Sequence, residues 1–114
     1  MINWAQVRQL EQDVGPEDIG AVIALFLAEV EEAIKDLQAM PPDDTEKIGA
    51  MLHFLKGCAS NVGFEAFAEN CAQGELKAQN GQISDVSTAA VAKIYEGSKQ
   101  LFLAEFSAHS TAQL

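Results

Sequence analysis

Residues 49–63 read GAMLHFLKGCASNVG, and a helix wound from them has two unlike faces. At the helical angle of about 100° per residue, Gly49 and Gly57 fall about 40° to either side of His53, Ser60 about 20° away, and Ala50 and Lys56 about 60° away. Ile48, Met51, Leu52, Leu55, Cys58, Ala59 and Val62 cluster on the other side, the apolar stripe by which a helix packs onto a core. His53 therefore points outward, in a clearing of small residues. Glycine inside a helix costs about 1 kcal/mol relative to alanine, so the clearing sacrifices local stability for open space.

Such a histidine is reachable by a large partner. Its unperturbed pKa of about 6.5 leaves much of it neutral at physiological pH, with one nitrogen carrying a lone pair. Lys56, three residues on and on the same side, places an ammonium near anything attached to the ring. A nucleophilic imidazole beside a cation suits transient capture of a phosphoryl group. A lone histidine with a lysine one turn away is also an ordinary solvated surface pair, and the glycines favour the chemical reading.

Working outward, Asn3 can cap a short first helix of about Trp4 to Asp13, which breaks at Val14-Gly15-Pro16 and is placed as a lid on the bundle. A second helix starts near Glu17 or Asp18 and runs to about Ala39, with Ile19, Val22, Ile23, Phe26, Leu27, Val30, Ile34 and Leu37 at helical spacing. Pro41-Pro42 ends it. Asp43, Asp44 or Thr45 caps the third helix, about residues 44–62, and Gly63 closes it. A fourth covers about Glu65 to Gln79, carrying Phe67, Cys71 and Ala78 and stopping at Asn80-Gly81. Ser84 or Asp85 is the candidate cap of the last helix, which carries Val91, Ile94, Tyr95, Leu101 and Phe102 and extends to about Phe106, before a polar tail at 107–114. The predicted fold is all-α, an up-down-up-down four-helix bundle with a short additional N-terminal helix. The aromatic residues of these helices read as core.

With 114 residues and 48% hydrophobic content, the expectation is one domain over 1–114, too short for a kinase carrying its own nucleotide-binding domain. A net charge of −10 argues against nucleic acid or an anionic membrane as partner. The N-terminus shows no signal-peptide pattern, and the apolar run Ile19 to Ala28 is too short to span a bilayer, so a cytoplasmic location is expected. Cys58 and Cys71 read as reduced core thiols. A metal site on His53, Cys58 and Cys71 fails because Cys58 lies about 140° around the helix from His53. His109 stands among Ser107, Ser110 and Thr111 without a positioned base, and no Gly-rich phosphate loop is present.

The order His53-x-Leu55-Lys56-Gly57, then Gly63, then Phe67, Cys71 and Glu75, resembles the signature of histidine-containing phosphotransfer domains. In that family H-x-L-K-G-x5-G precedes a helix patterned L-x3-C-x2-L-E. The detailed match covers the central third of the chain, and the flanks fit by helical pattern and length. The resemblance implies that His53 accepts the phosphoryl group, Lys56 stabilises it, Gly57 admits the partner and Gly63 turns the chain after the active helix. Glu75 is the polar residue near the histidine, and Gly49, Ala50, Ser60 and Glu75 are the expected docking contacts. Gly74 departs from the pattern, which has leucine there, and bears on the packing of the fourth helix.

The implied activity is a relay, with no autonomous kinase or hydrolase reaction. A receiver domain bearing a phospho-aspartate, or a histidine kinase, would deliver the group to His53, which passes it to another receiver. The resemblance puts Mg²⁺ on the receiver and gives this chain no bound cofactor; a monomer is expected. Two alternatives remain open at this stage. One is a helical module that binds a receiver or kinase without carrying phosphate. The other is a detached phosphotransfer piece of a chemotaxis-type kinase, labelled directly by an ATP-binding partner.

Overall fold

The computed structural model describes residues 1–109 of the chain. Those residues form α1 (Trp4–Val14), α2 (Ile19–Ala39), α3 (Thr45–Asn61), α4 (Glu65–Gln79) and α5 (Thr88–His109), with a one-turn 3-10 helix at Ile83–Asp85 before the last. α2 packs on α3 and on α5, and α4 packs on the same two, so the four longer helices surround one core. The body measures 44 × 22 × 21 Å.

Each boundary has a local cause. The Asn3 side chain accepts from Gln6 N at 3.2 Å, and Gly15, at φ 91, closes α1. Met40 turns extended ahead of Pro41, as a residue before proline must. Of the three candidate caps for α3, Asp44 takes the role, accepting from Lys47 N at 3.2 Å. The last helix is a correction: neither Ser84 nor Asp85 caps it. Those two residues lie in the 3-10 turn, and Ser87 Oγ accepts from Ala90 N at 3.1 Å. At its other end α5 runs through His109 rather than stopping near Phe106. Residues 110–114 of the expected polar tail, Ser110 and Thr111 among them, lie outside the described residues.

The core follows the spacings of the sequence. Ile19, Ile23, Phe26, Val30, Ile34 and Leu37 of α2 meet Ile48, Leu52, Leu55 and Ala59 of α3. α5 contributes Val91, Tyr95, Ser98, Phe102 and Phe106 at three- and four-residue steps, with Leu101 exposed beside them. Phe64 sits at the centre of an aromatic cluster, 5.2 Å from Phe26 and 5.3 Å from Phe102 between ring centroids. α1 lies over this cluster, with Val7 buried and Trp4 stacked on Phe102.

The N-terminal segment is tied to the α3–α4 turn. Asn3 N donates to Gly63 O at 2.7 Å, Glu65 N donates to Met1 O at 3.1 Å, and Ile2 bridges Phe64. Gly63, at φ 78, is needed twice over: its backbone is left-handed, and a Cβ would lie 2.5 Å from the Asn3 carbonyl oxygen. Gly74 also has a packing reason. It is buried, and a Cβ there would come within 2.9 Å of Leu52 Cδ1. Leu52 of α3 enters the space the glycine leaves.

Candidate functional site

α3 presents His53 to solvent, as its helical phase requires: the side chain is 68% exposed. Leu52, Leu55 and Ala59 behind it are fully buried and hold α3 against the core, which sets the direction of the ring. Lys56 follows on the same side at 37% exposure. Glu75 comes from α4, whose buried residues Phe67, Cys71, Gly74 and Ala78 turn the adjacent position towards α3.

The Glu75 carboxylate joins the other two residues. Its Oε2 lies 2.9 Å from His53 Nδ1, and Lys56 Nζ donates to its Oε1 at 2.8 Å. The Glu75 side chain is only 14% exposed. The hydrogen bond from Lys56 is the largest influence on its pKa and, with the bond to His53, holds the carboxyl below its ordinary value against the opposing effect of burial. An ionised carboxylate only accepts, so its contact with the ring requires a proton on Nδ1. In the neutral imidazole the lone pair is then on Nε2.

Gly49, Ala50, His53, Glu75 and Ala78, with Thr45, Glu46 and Gln79, line an open hollow of about 430 Å³. Three of the four expected docking positions, Gly49, Ala50 and Glu75, therefore meet at His53. Ser60 is exposed further along α3 and does not line the hollow. At Gly57 an added Cβ would find nothing within 4 Å, so this glycine leaves open surface beside the histidine. Ala78 and Gln79 were not singled out from sequence, although they stand three and four residues after Glu75, where a helix returns to the same side.

Two other expectations need correction. Phe54 is not core: it is 47% exposed, because its position next to His53 falls outside the buried stripe of α3. Of the two thiols, Cys71 is buried and its pKa is pushed up to about 12 by desolvation, whereas Cys58 is half-buried at a cleft bordered by Leu10, Val22 and Phe26. Both are free thiols. Among the described residues no group of three or more His, Cys, Asp or Glu is arranged to hold a metal ion, and no helix is long and apolar enough to cross a membrane.

The Hpt domain model matches residues 21–106, which include all three polar side chains of the site and the four longer helices except their outermost residues. The chain belongs to the Hpt domain family. The Hpt chain is also similar to the phosphorelay protein LuxU of Vibrio vulnificus in strains YJ016 and CMCP6. In each case the identity is 24% over 95 residues, 82% of this chain and 83% of the relative. No solved structure matches. Family membership and this similarity support a phosphotransfer role in a phosphorelay.

Proposed function

We propose that this protein is a phosphorelay intermediate that takes a phosphoryl group from a receiver-domain aspartate or a histidine kinase onto His53 and passes it to another receiver. The observation that carries the reading is the pairing of an exposed imidazole with a partly buried carboxylate that also holds a lysine. On this reading the helices α2 to α5 form an up-down-up-down bundle, their short connections returning each helix beside the one before. The protein works in the cytoplasm as a monomer.

Nε2 attacks the phosphorus of the aspartyl phosphate in line with the leaving carboxylate, so that one N–P bond forms as one P–O bond breaks. The proton on Nδ1 stays there, held by Glu75, and the product ring carries a positive charge beside a carboxylate. That charge keeps the imidazole a good leaving group for the next transfer. Lys56 spends one N–H on Glu75 and has two more to offer a phosphoryl oxygen arriving at its neighbour. Gly57 and Gly49 give the receiver backbone room to approach. The Mg²⁺ that receivers use in this chemistry is expected on the partner.

Phosphoryl transfer from a panel of phosphorylated receiver domains to the wild type and to His53→Gln tests the proposal. Acid-labile, base-stable label on the wild type alone is the expected result. Label retained in His53→Gln would overturn the assignment, and receiver binding without label on either protein would favour a non-phosphorylated interaction module.

A further inference from the structure

Beside the His53 hollow runs a second, larger groove of about 600 Å³ between α2 and α3. Met40, Met51 and Phe54 form its apolar surface over Ala33, and Ala50 borders both this groove and the hollow. The groove therefore adjoins the surface that a partner lying over His53 must cover. The α2 rim carries Glu29, Glu32 and Asp36 at three- and four-residue steps, all exposed and none in an ion pair among the described residues. Like charges so spaced repel one another along a helix. The acid on the opposite side of α2 is treated differently: Glu31 accepts from Lys99 and Tyr95 of α5, each at 2.7 Å. Neutralisation has thus been supplied where α2 meets its own fold and withheld where it faces the groove. The facing wall offers one cation, Lys47, which stands 3.9 Å from its neighbour Asp44.

We propose that this groove seats an apolar ridge of the partner receiver flanked by lysine or arginine side chains, and that Glu29, Glu32 and Asp36 select among receivers by that charge. The inference rests on the phosphorelay reading. The apolar floor supplies contact area common to all partners, and the unpaired carboxylates supply discrimination and faster encounter. Methionine on two sides of the groove lets the floor adapt to ridges of different shape.

The test is binding of unphosphorylated and beryllofluoride-activated receiver domains to the full chain by titration calorimetry, at about 0.05 M and about 0.5 M salt, between which screening rises sharply. Glu32→Lys is expected to weaken binding about 10-fold at the lower salt and far less at the higher. Glu17→Lys makes the same charge change in the turn ahead of α2, away from the groove lining, and is expected to leave binding within about 2-fold. Phe54→Ser is expected to weaken binding at both salts, with circular dichroism confirming an intact fold. Equal effects of Glu32→Lys and Glu17→Lys, or none from Phe54→Ser, would overturn the inference. Transfer to His53 that ignores the groove variants would overturn it and leave the relay standing. Groove-dependent binding with no label on His53 would do the reverse, and no binding by any receiver would overturn both.

Discussion

His53 Nδ1 and Glu75 Oε2 stand 2.9 Å apart across the α3–α4 interface, so the nitrogen that faces the protein is the one that holds the proton. Glu75→Ala removes that acceptor and lets the neutral ring carry its proton on either nitrogen. Phosphoryl acceptance is expected to fall about 10-fold, while Glu75→Gln, which keeps an acceptor oxygen, should lose less. Long-range ¹H–¹⁵N spectra of the imidazole check the cause: Nε2 should be unprotonated in the wild type and mixed in Glu75→Ala.

Lys56 holds the other carboxylate oxygen at 2.8 Å and is partly exposed, so its electrostatic help to an incoming phosphoryl group is tempered by water. Lys56→Ala is expected to slow transfer about 10-fold, less than the loss of a fully buried donor would cost. Stopped-flow or quench-flow transfer rates at fixed receiver concentration give the number, and an unchanged rate would remove Lys56 from the mechanism.

Acid should weaken the α3–α4 contact in a defined direction. Glu75 is held below the ordinary value of 4.5, chiefly by Lys56, so the folded state binds its proton less readily than the unfolded chain. Its contribution to stability is complete above that ordinary value and is lost as pH falls through the lowered one. Denaturation midpoints of the wild type and Glu75→Gln should therefore differ near neutrality and converge in acid. A difference that persists at the acid end would rule out ionisation as its source.

Gly57 separates stability from function. With nothing within 4 Å of an added Cβ, Gly57→Ala is expected to raise stability by about 1 kcal/mol through helix propensity. Gly57→Leu should fold as well yet block transfer, because its side chain fills the surface a receiver must cover. Chemical denaturation and the transfer assay, run on the same preparations, distinguish the two effects.

Gly74 should behave in the opposite way. Leu52 occupies the space where its side chain would go, so Gly74→Leu, which restores the commoner family residue, is expected to destabilise by about 1–3 kcal/mol through overpacking. The paired change Gly74→Leu with Leu52→Ala should recover part of that loss, a coupling that a double-mutant cycle measures.

Local sequence alone determined the helical class, the bounds of α4, the outward direction of His53 and the place of Lys56 beside it. All of these depend on the fixed angle between successive residues of one helix, or on short-range signals such as the Asn80-Gly81 turn after α4. Ser87 was missed because the two plausible caps before it, Ser84 and Asp85, are taken up in a 3-10 turn, which delays the start of α5 to Thr88. What tertiary structure decided lies between helices. The double grip of Glu75 on His53 and Lys56, the entry of Leu52 of α3 into the space at Gly74 of α4, and the acid-rimmed groove that Phe54 borders depend on the distance and rotation of helices far apart in the chain. Side-chain packing sets those two quantities, and no single helix contains them.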